Sequence, residues 1–378
     1  MYLSKIKVFS CAVLIGFSTL MVGRVGAAVD SGVLDETHAS VRAVLAVQGD
    51  VTPDLMKKPE ILGTAVGLAE AGPALVIYVD RDSPSVNDVV RSLPPQMRGV
   101  DVKVQLTDKF RAYANKHGHG PGGGGTTSSV SHTAKQTPPI QLGTSGGWAK
   151  DLANGYCCGG TMGSLIQVNG VQYIMSNYHV FESDIVTGGN STVAITGDST
   201  IQPGLIDVGC NVNNAQGVGT LVRLSSLPNS NVDVSVAQAT SGMVRTDGAI
   251  LEIGTLSSQT VSAYLSQLVK KSGRTTALSH SKISGLNATL SVTYDNECAG
   301  GAAFTKTYIG QIVVANSYSS FLNSGDSGSL MVEDITTAPH AVGLLYAGSS
   351  TDAIANPIAE VLQFVGGKLG GVASMVGN

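Results

Sequence analysis

One serine lies in a setting that favours nucleophilic chemistry. Ser327 stands in the run Gly325-Asp326-Ser327-Gly328. Because glycine lets the backbone bend sharply, the hydroxyl is expected to be exposed while amides of the same turn face a developing oxyanion. The expected donors are the N–H groups of Gly325 and Ser327. A serine hydroxyl alone is a poor nucleophile, so this chemistry requires a histidine base and an acid that orients it.

His179 is the candidate base. It ends the strand-like run Val171–His179, from which an emerging loop would hold it at the rim of a barrel. His280 and His340 are the alternatives, but both lie among turn-like polar residues without an apolar lead-in. A lone histidine is more commonly a hydrogen-bonded structural group. The assignment of His179 therefore depends on the serine that accompanies it.

Asp233 is the candidate acid. It stands in the run Asn231–Ala237, among β-branched residues, which predicts a strand and a partly buried carboxylate. A buried carboxylate needs a partner, and a histidine N–H is a suitable one. Asp198 and Asp207 remain alternatives, although both occur in Gly- and Pro-rich turns where a solvated or turn-capping aspartate is the ordinary explanation.

The chain order His179, Asp233, Ser327 resembles that of the chymotrypsin-like serine peptidases. The segment Lys271–Thr276 resembles bacterial secreted members of the alpha-lytic type. The similarity covers about 140–365. It implies two antiparallel six-stranded β-barrels with the active site between them, and an endopeptidase that cleaves a polypeptide substrate through an acyl-enzyme on the serine.

The same resemblance implies a substrate-binding strand after the nucleophile. Residues 341–349 resemble the strand that lines the primary specificity pocket, which assigns substrate binding to Tyr346, Ala347 and Gly348. Tyr346 and Ala347 replace the serine and large aromatic residue usual there, so substrate preference does not transfer. Phe321, six residues before the nucleophile, falls near the base of the pocket and argues against selection of a charged side chain.

The resemblance also implies a brace for the nucleophile loop. Arg274 would be the internal partner of Asp326, so that no newly cut N-terminus is needed beside the nucleophile. The lead-in to His179 lacks the usual small residues and flanking cysteine, and Ser329 stands where a second glycine is common. These departures prevent a transfer of disulfide positions, while the three catalytic residue types are retained.

Composition and charge limit the fold class and the partners. The 378 residues include 47 glycines, 13% charged residues and 5% aromatics, which favours short strands joined by tight turns. After residue 140, many short Val-, Ile- and Thr-rich runs are separated by turn residues, which predicts a mainly β body. A net charge of −4 with scattered basic residues provides no basic field for nucleic acid.

The chain is predicted to contain four segments. Residues 1–28 have the basic, apolar and small-residue layout of a secretory signal peptide, which predicts a secreted or periplasmic protein with no membrane partner after signal removal. Residues 30–115 form a small α/β N-terminal domain, with strands at 74–79 and 100–106. Residues 116–139 form a Gly-rich linker, and residues 140–378 form the peptidase domain.

Two roles are open for the N-terminal domain, which contains no evident catalytic cluster. It is either a pro-region, which assists folding or blocks the cleft by docking on the peptidase domain, or an appended module. The sequence does not choose between them.

Four cysteines remain once the signal is removed: Cys157, Cys158, Cys210 and Cys298. An even number in an exported chain permits two disulfides. Because a ring between neighbouring residues is strained, Cys157 and Cys158 are each expected to pair with Cys210 or Cys298.

No metal and no cofactor are expected. No Cys-x-x-Cys or Cys/His spacing recurs in the sequence. His117, His119 and His132 lie in or near the linker, and a mobile Gly-rich tether does not preorganise metal ligands.

Two other functions compete with the peptidase. A catalytically silent relative would bind extended peptides by strand addition. An esterase on an α/β-hydrolase sheet would require the order serine, acid, histidine and a Gly-x-Ser-x-Gly elbow. The chain order here is reversed, and Ser329 stands in place of the final glycine.

Overall fold

The computed structural model describes residues 32–112, 130–153, 156–182, 194–294 and 304–378. The predicted signal peptide, most of the Gly-rich linker and Cys298 lie outside these residues. Within them, no helix combines the length and apolar character that a membrane crossing requires.

Strands dominate the described residues. The helices are α1 (Ala39–Leu55), α2 (Val86–Ser92), α3 (Tyr178–Phe181) and α4 (Ile358–Leu369). The strands that precede α3 are β1 (Ile61–Ala69), β2 (Gly72–Asp80), β3 (Gln96–Met97), β4 (Val100–Thr107), β5 (Phe110–Ala112), β6 (Thr144–Trp148), β7 (Leu152–Ala153), β8 (Tyr156–Cys157), β9 (Gly160–Met162), β10 (Ser164–Val168) and β11 (Val171–Ser176). Those that follow it are β12 (Ser199–Gln202), β13 (Gln216–Val222), β14 (Ser235–Ala239), β15 (Leu268–Gly273), β16 (Ala277–Tyr294), β17 (Phe304–Ala315), β18 (Leu330–Glu333), β19 (Ala341–Gly348), β20 (Asp352–Pro357) and β21 (Ala373–Met375).

Two large antiparallel β-units form the body of the protein. The first is an eight-stranded sheet in the order β21-β10-β11-β14-β13-β12-β6-β9. The second contains a ring in the order β15-β18-β19-β20-β17-β16, which the pairing of β15 with β16 closes. Both enclose apolar side chains, because alternate residues of each strand point to the same side. The mainly β class predicted from the sequence is confirmed, with more strands in the first unit than the six expected.

The N-terminal segment continues the sheet of the second unit. Strand β1 pairs antiparallel with β16, with Gly63 opposite Leu290 and Gly67 opposite Gly285. The contact is close: a Cβ at Gly63 would lie 2.1 Å from the Thr289 carbonyl oxygen. Strands β2, β4 and β3 follow β1 in the same sheet. Residues 32–378 consequently form one compact unit.

Strand β5 ends the N-terminal segment and lies between two strands of the ring. It runs parallel to the end of β16, where Ala112 is opposite Tyr294, and its Arg111 pairs antiparallel with Gly348 of β19. Phe110 and Ala112 are buried, whereas Arg111 is exposed. Because alternate residues of a strand point to opposite faces, one face of β5 covers the protein interior beneath it.

Candidate active site

Two neighbouring strands bring His179 and Asp233 together. Strands β11 and β14 are antiparallel, and Ser176 is opposite Ser235. Continuing β11 forward and β14 backward from this pair places residues 178 and 233 side by side. Accordingly, the Tyr178 amide donates to Asp233 Oδ1 over 2.7 Å, and His179 Nδ1 lies 2.7 Å from Asp233 Oδ2. The short helix α3 turns the imidazole out of the strand.

The Asp233 carboxylate is fully buried, and its oxygens are satisfied by three groups. Besides Tyr178 and His179, the hydroxyl of Tyr294 donates to Oδ2 over 2.8 Å. The backbone amide of Asp233 donates to Asn356 Oδ1, which anchors this residue to the second β-unit. The sequence predicted a partly buried carboxylate beside a histidine; the carboxylate is fully buried, and the tyrosine is an additional partner.

The nucleophile loop depends on two glycines with positive φ. Gly325 has φ +93° and Gly328 has φ +92°. A Cβ at Gly328 would lie 2.3 Å from both Ser176 Oγ and the Thr161 carbonyl oxygen, so a side chain there would force the loop away from β11. The Ser327 carbonyl accepts from the Thr161 amide over 2.8 Å.

Hydrogen bonds fix the peptide planes of both predicted oxyanion donors. The Ser324 carbonyl accepts from Thr275 Oγ1 over 2.6 Å, and the Asp326 carbonyl accepts from Ser329 Oγ over 2.6 Å. In a planar trans peptide the following N–H points opposite to the carbonyl. The amides of Gly325 and Ser327 are therefore held in set directions.

Gly160 marks where the serine loop meets the histidine helix. A Cβ at this position would lie 2.6 Å from Val180 Cγ2 and 2.9 Å from the Ser327 carbonyl oxygen. Val180 follows His179 directly, so a single glycine separates the two loops. The structure thus brings the predicted base, acid and nucleophile to one location between the two β-units.

Ser327 is covered, which corrects the expectation of an exposed hydroxyl. The residue is only 2% exposed, and its Oγ donates to the Tyr346 carbonyl over 3.3 Å. The buried cluster that includes Phe110, Ala112 and Tyr346 also contains Tyr294. The N-terminal segment contributes Phe110 and Ala112 to this cluster, and a sequence motif has no means of showing such a long-range contact.

Asp326 is braced by Lys271, and the predicted pairing with Arg274 is wrong. The Lys271 ammonium lies 3.4 Å from Asp326 Oδ1, and both side chains are fully buried. Asp326 also accepts from the amides of Thr275 and Thr276. Burial lowers the pKa of Lys271, and the charge of Asp326 opposes that shift.

Arg274 instead binds Asp207 through two nitrogens, Nε at 2.7 Å and Nη2 at 2.6 Å. A planar guanidinium can donate two parallel hydrogen bonds to one carboxylate, and Arg274 makes this bidentate contact with Asp207. Asp207 ends the 3₁₀ helix Leu205–Asp207, and the Cys157–Cys210 disulfide lies close to it in the sequence. That disulfide is one of the pairings left open by the sequence.

The alternative histidines and acids have other partners. His280 contacts Asp334, and His340 contacts Glu333. Asp198 accepts from the indole of Trp148 and from Lys150, and Asp207 binds Arg274. Each of these acids satisfies a structural partner, which leaves Asp233 as the acid beside His179. His132 also has a structural setting, with Nε2 2.6 Å from Glu252 Oε2 and Nδ1 2.9 Å from the Gly143 carbonyl.

The residues assigned to substrate binding lie on β19 and in the segment that precedes the nucleophile. Tyr346, Ala347 and Phe321 are buried. A Cβ at Gly348 would lie 3.2 Å from Leu322 Cδ2, so this strand closely approaches the segment before the nucleophile. The backbone of Gly348 pairs with the backbone of Arg111 in β5.

Sequence reasoning missed three residues of the site: Tyr294, Tyr308 and Lys271. Tyr294 and Tyr308 join their hydroxyls across β16 and β17, behind Asp233. Their sequence signal was an aromatic residue on the buried side of each strand, which is equally typical of core packing. Lys271 lies in the same segment as Arg274, residues 271–276. Which of these two cations contacts Asp326 depends on the direction of its side chain.

Comparisons with known proteins give fold similarities only. No family model matches the chain, and no curated protein matches it. Among solved structures, the chain is similar to a glutamic acid specific serine protease that uses a histidine triad in substrate binding, with 16% identity, a TM-score of 0.40, and coverage of 62% of this chain and 100% of that one.

Two further solved structures show similar values. Cellulomonas bogoriensis chymotrypsin has 20% identity and a TM-score of 0.37, with 63% of this chain and 99% of that one covered. Alpha-lytic protease homolog N4 has 14% identity and a TM-score of 0.35, with 62% and 98% covered. These solved structures belong to the kind of protein that the sequence resembles, the chymotrypsin-like bacterial serine proteases. Similarities this low do not transfer an activity, so function must be inferred from the site itself.

Proposed function

We propose that this protein is a secreted serine endopeptidase, and that the N-terminal segment keeps it latent by covering Ser327. The observation that carries the proposal is the 2.7 Å contact between His179 Nδ1 and the fully buried Asp233 carboxylate, next to the nucleophile loop. Export is supported by the layout of residues 1–28.

In the proposed reaction, His179 Nε2 takes the proton from Ser327 Oγ while the oxygen attacks the substrate carbonyl. Asp233 holds the proton on Nδ1 and stabilises the imidazolium that forms. The amides of Gly325 and Ser327 bind the developing oxyanion. The imidazolium then gives its proton to the leaving amine, and an ester remains on Ser327 Oγ. Water, activated by His179, hydrolyses this ester and restores the hydroxyl.

This reaction requires the proton of the Ser327 hydroxyl, which is donated to the Tyr346 carbonyl over 3.3 Å, to pass to the imidazole. Catalytic hydrogen bonds often tighten only when substrate binds, so the present orientation is compatible with the reaction. Tyr346 lies on the strand to which substrate binding was assigned. A substrate amide that bound the same carbonyl would release the serine.

Latency is supported by the position of β5. Its Arg111 pairs with Gly348 in the antiparallel sense in which an extended peptide adds to a strand edge. While β5 occupies this edge, another peptide cannot. The N-terminal segment then corresponds to a pro-region, and the processed protein is proposed to begin in the linker, around Gly120 to Pro139. Mass determination of the purified protein tests this start.

Covalent labelling with a fluorophosphonate tests the function. Processed protein is expected to gain one label on Ser327, and Ser327→Ala is expected to gain none. Ser324→Ala, in the same loop, is the matched control and should label like the natural protein. A correctly folded, processed protein that takes no label would contradict the peptidase and favour the silent peptide-binding relative.

Ala112→Asp tests the cover. Ala112 is 3% exposed, and a carboxylate there would be buried without a partner, at a cost of several kcal/mol. Because 1.36 kcal/mol corresponds to a factor of ten, we expect the labelling rate of the unprocessed chain to rise at least about tenfold.

Arg111→Gln is the control for this prediction. Its side chain points to the exposed face of β5, so its labelling rate should stay close to that of the natural chain. Equal rates for Ala112→Asp and Arg111→Gln would show that β5 does not restrict access to Ser327.

A further inference from the structure

The Asp233 carboxylate is held by a tyrosine from the other β-unit. Tyr294 reaches it from the last position of β16, and its hydroxyl donates to Oδ2 over 2.8 Å. Oδ2 therefore has two donors, the hydroxyl and His179 Nδ1, while Oδ1 has the Tyr178 amide. For a carboxylate without solvent contact, each donor offsets part of the cost of burying the charge.

A second tyrosine sets the direction of the first hydroxyl. The hydroxyls of Tyr294 and Tyr308 are within hydrogen-bonding distance. An ionised carboxylate only accepts, so the single proton of Tyr294 points to Asp233, and Tyr308 must donate to Tyr294. Burial and the charge of Asp233 raise the pKa of both tyrosines, so both keep their protons as donors.

The rings of this cluster restrict rotation of Tyr294. Its ring stacks on Phe304 with centroids 4.8 Å apart and meets the His179 ring edge-on at 5.9 Å. Both residues of the proposed acid–base pair thus touch the same tyrosine. A ring held on two sides keeps its hydroxyl in one position, which an isolated polar contact would not do.

We propose that Tyr294, oriented by Tyr308, is a positioning residue that fixes the Asp233 carboxylate against His179 during catalysis. This inference rests on the proposed peptidase function. The hydroxyl draws part of the carboxylate charge away from the imidazole, so it sets both the direction of the acid and its attraction for the imidazolium. The titratable side chains that face the Asp233 carboxyl from the surrounding elements are His179, Tyr178, Tyr294, Tyr308 and Tyr346.

Tyr294→Phe removes only the hydroxyl, because phenylalanine retains both ring contacts. We expect kcat to fall about tenfold with KM unchanged, because a carboxylate that is no longer held from both sides keeps the imidazole in the productive orientation for less of the time. Without the hydroxyl, the carboxylate attracts the imidazolium more strongly. The acid limb of the kcat/KM profile should therefore move to higher pH.

Tyr308→Phe and Tyr173→Phe are the matched variants. Tyr308→Phe leaves Tyr294 in place without its orienting donor, so it should change kcat and the acid limb in the same direction by less. It also tests the proposal if Tyr294→Phe does not fold. Tyr173→Phe lies on β11, away from Asp233, and should match the natural protein. An acid limb that stays in place in both Tyr294→Phe and Tyr308→Phe would overturn the positioning role.

A proton NMR measurement separates this inference from the function itself. The Nδ1–H resonance of His179 reports its bond to Asp233 whether or not the protein cleaves peptides. It should move to lower field in Tyr294→Phe, because the remaining bond becomes stronger. If Ser327 takes no fluorophosphonate label but this resonance moves, the peptidase proposal fails and the positioning contact stands. If labelling occurs and the resonance does not move, the positioning proposal fails alone.

Discussion

Asp233→Asn is expected to lower kcat by about 10⁴-fold while leaving the fold intact. The carboxylate keeps the proton on His179 Nδ1 and leaves Nε2 as the base. An amide in its place is oriented by the Tyr178 backbone N–H, which can only donate and therefore holds the asparagine oxygen at the Oδ1 position, whereas the Tyr294 hydroxyl at the Oδ2 position can turn to accept. Its NH₂ group then faces the imidazole, which must adopt the wrong tautomer. Steady-state kinetics on a peptide substrate, with thermal unfolding as the check on folding, measure this effect.

Asp198→Asn is the matched control. Asp198 is also buried, but its carboxylate binds Trp148 and Lys150. The change should affect stability by about 1–3 kcal/mol and leave kcat of the folded fraction nearly unchanged. A loss of activity in Asp198→Asn that equals the loss in Asp233→Asn would contradict the assignment of the acid.

Lys271→Met is expected to destabilise the protein by about 3–5 kcal/mol. Methionine fills a similar volume, but it removes the cation beside Asp326 and leaves a fully buried carboxylate without a counter-charge. The lysine also donates to Thr276 Oγ1 and to the Ala277 carbonyl, so two further acceptors lose a donor. Because Asp326 directly precedes Ser327, the nucleophile loop should lose its geometry first. Urea unfolding measures the stability, and fluorophosphonate labelling measures the loop.

The double variant Lys271→Met/Asp326→Asn separates the charge from the packing. An asparagine retains an acceptor for the Thr275 and Thr276 amides without a charge, so the double variant should be more stable than Lys271→Met alone. Lys282→Met, on the exposed side of β16, should stay within about 0.5 kcal/mol of the natural protein. If Lys271→Met unfolds at the same urea concentration as Lys282→Met, the brace is not Lys271.

Three acids near the site, two fully buried and one partly buried, have partners that are far away in the sequence. Asp233 takes a histidine, Asp326 takes a lysine, and Asp207 takes an arginine. Each pair joins residues that are distant in sequence, and each partner offsets part of the cost of burying one carboxylate. The assignment of partners follows from which strand ends meet, and local sequence does not contain that information.

The sequence by itself determined the features that depend on local chemistry. The spacing of short β-rich runs predicted a mainly β body, which the two β-units confirm. A serine between glycines required a turn with positive φ, and Gly325 and Gly328 both adopt it. An aspartate among β-branched residues required burial and a partner, and Asp233 has both.

Only the tertiary structure decided the features that depend on strands far apart in the chain. The pairing of β1 with β16 and of β5 with Gly348 joins the N-terminal segment to the second β-unit, and Ser327, which the Gly-Asp-Ser-Gly run predicted to be exposed, is buried. The choice of Lys271 over Arg274, and the support of Asp233 by Tyr294, follow from side-chain directions across a closed ring of strands. These contacts are formed when distant backbone segments hydrogen-bond, so no local pattern specifies them.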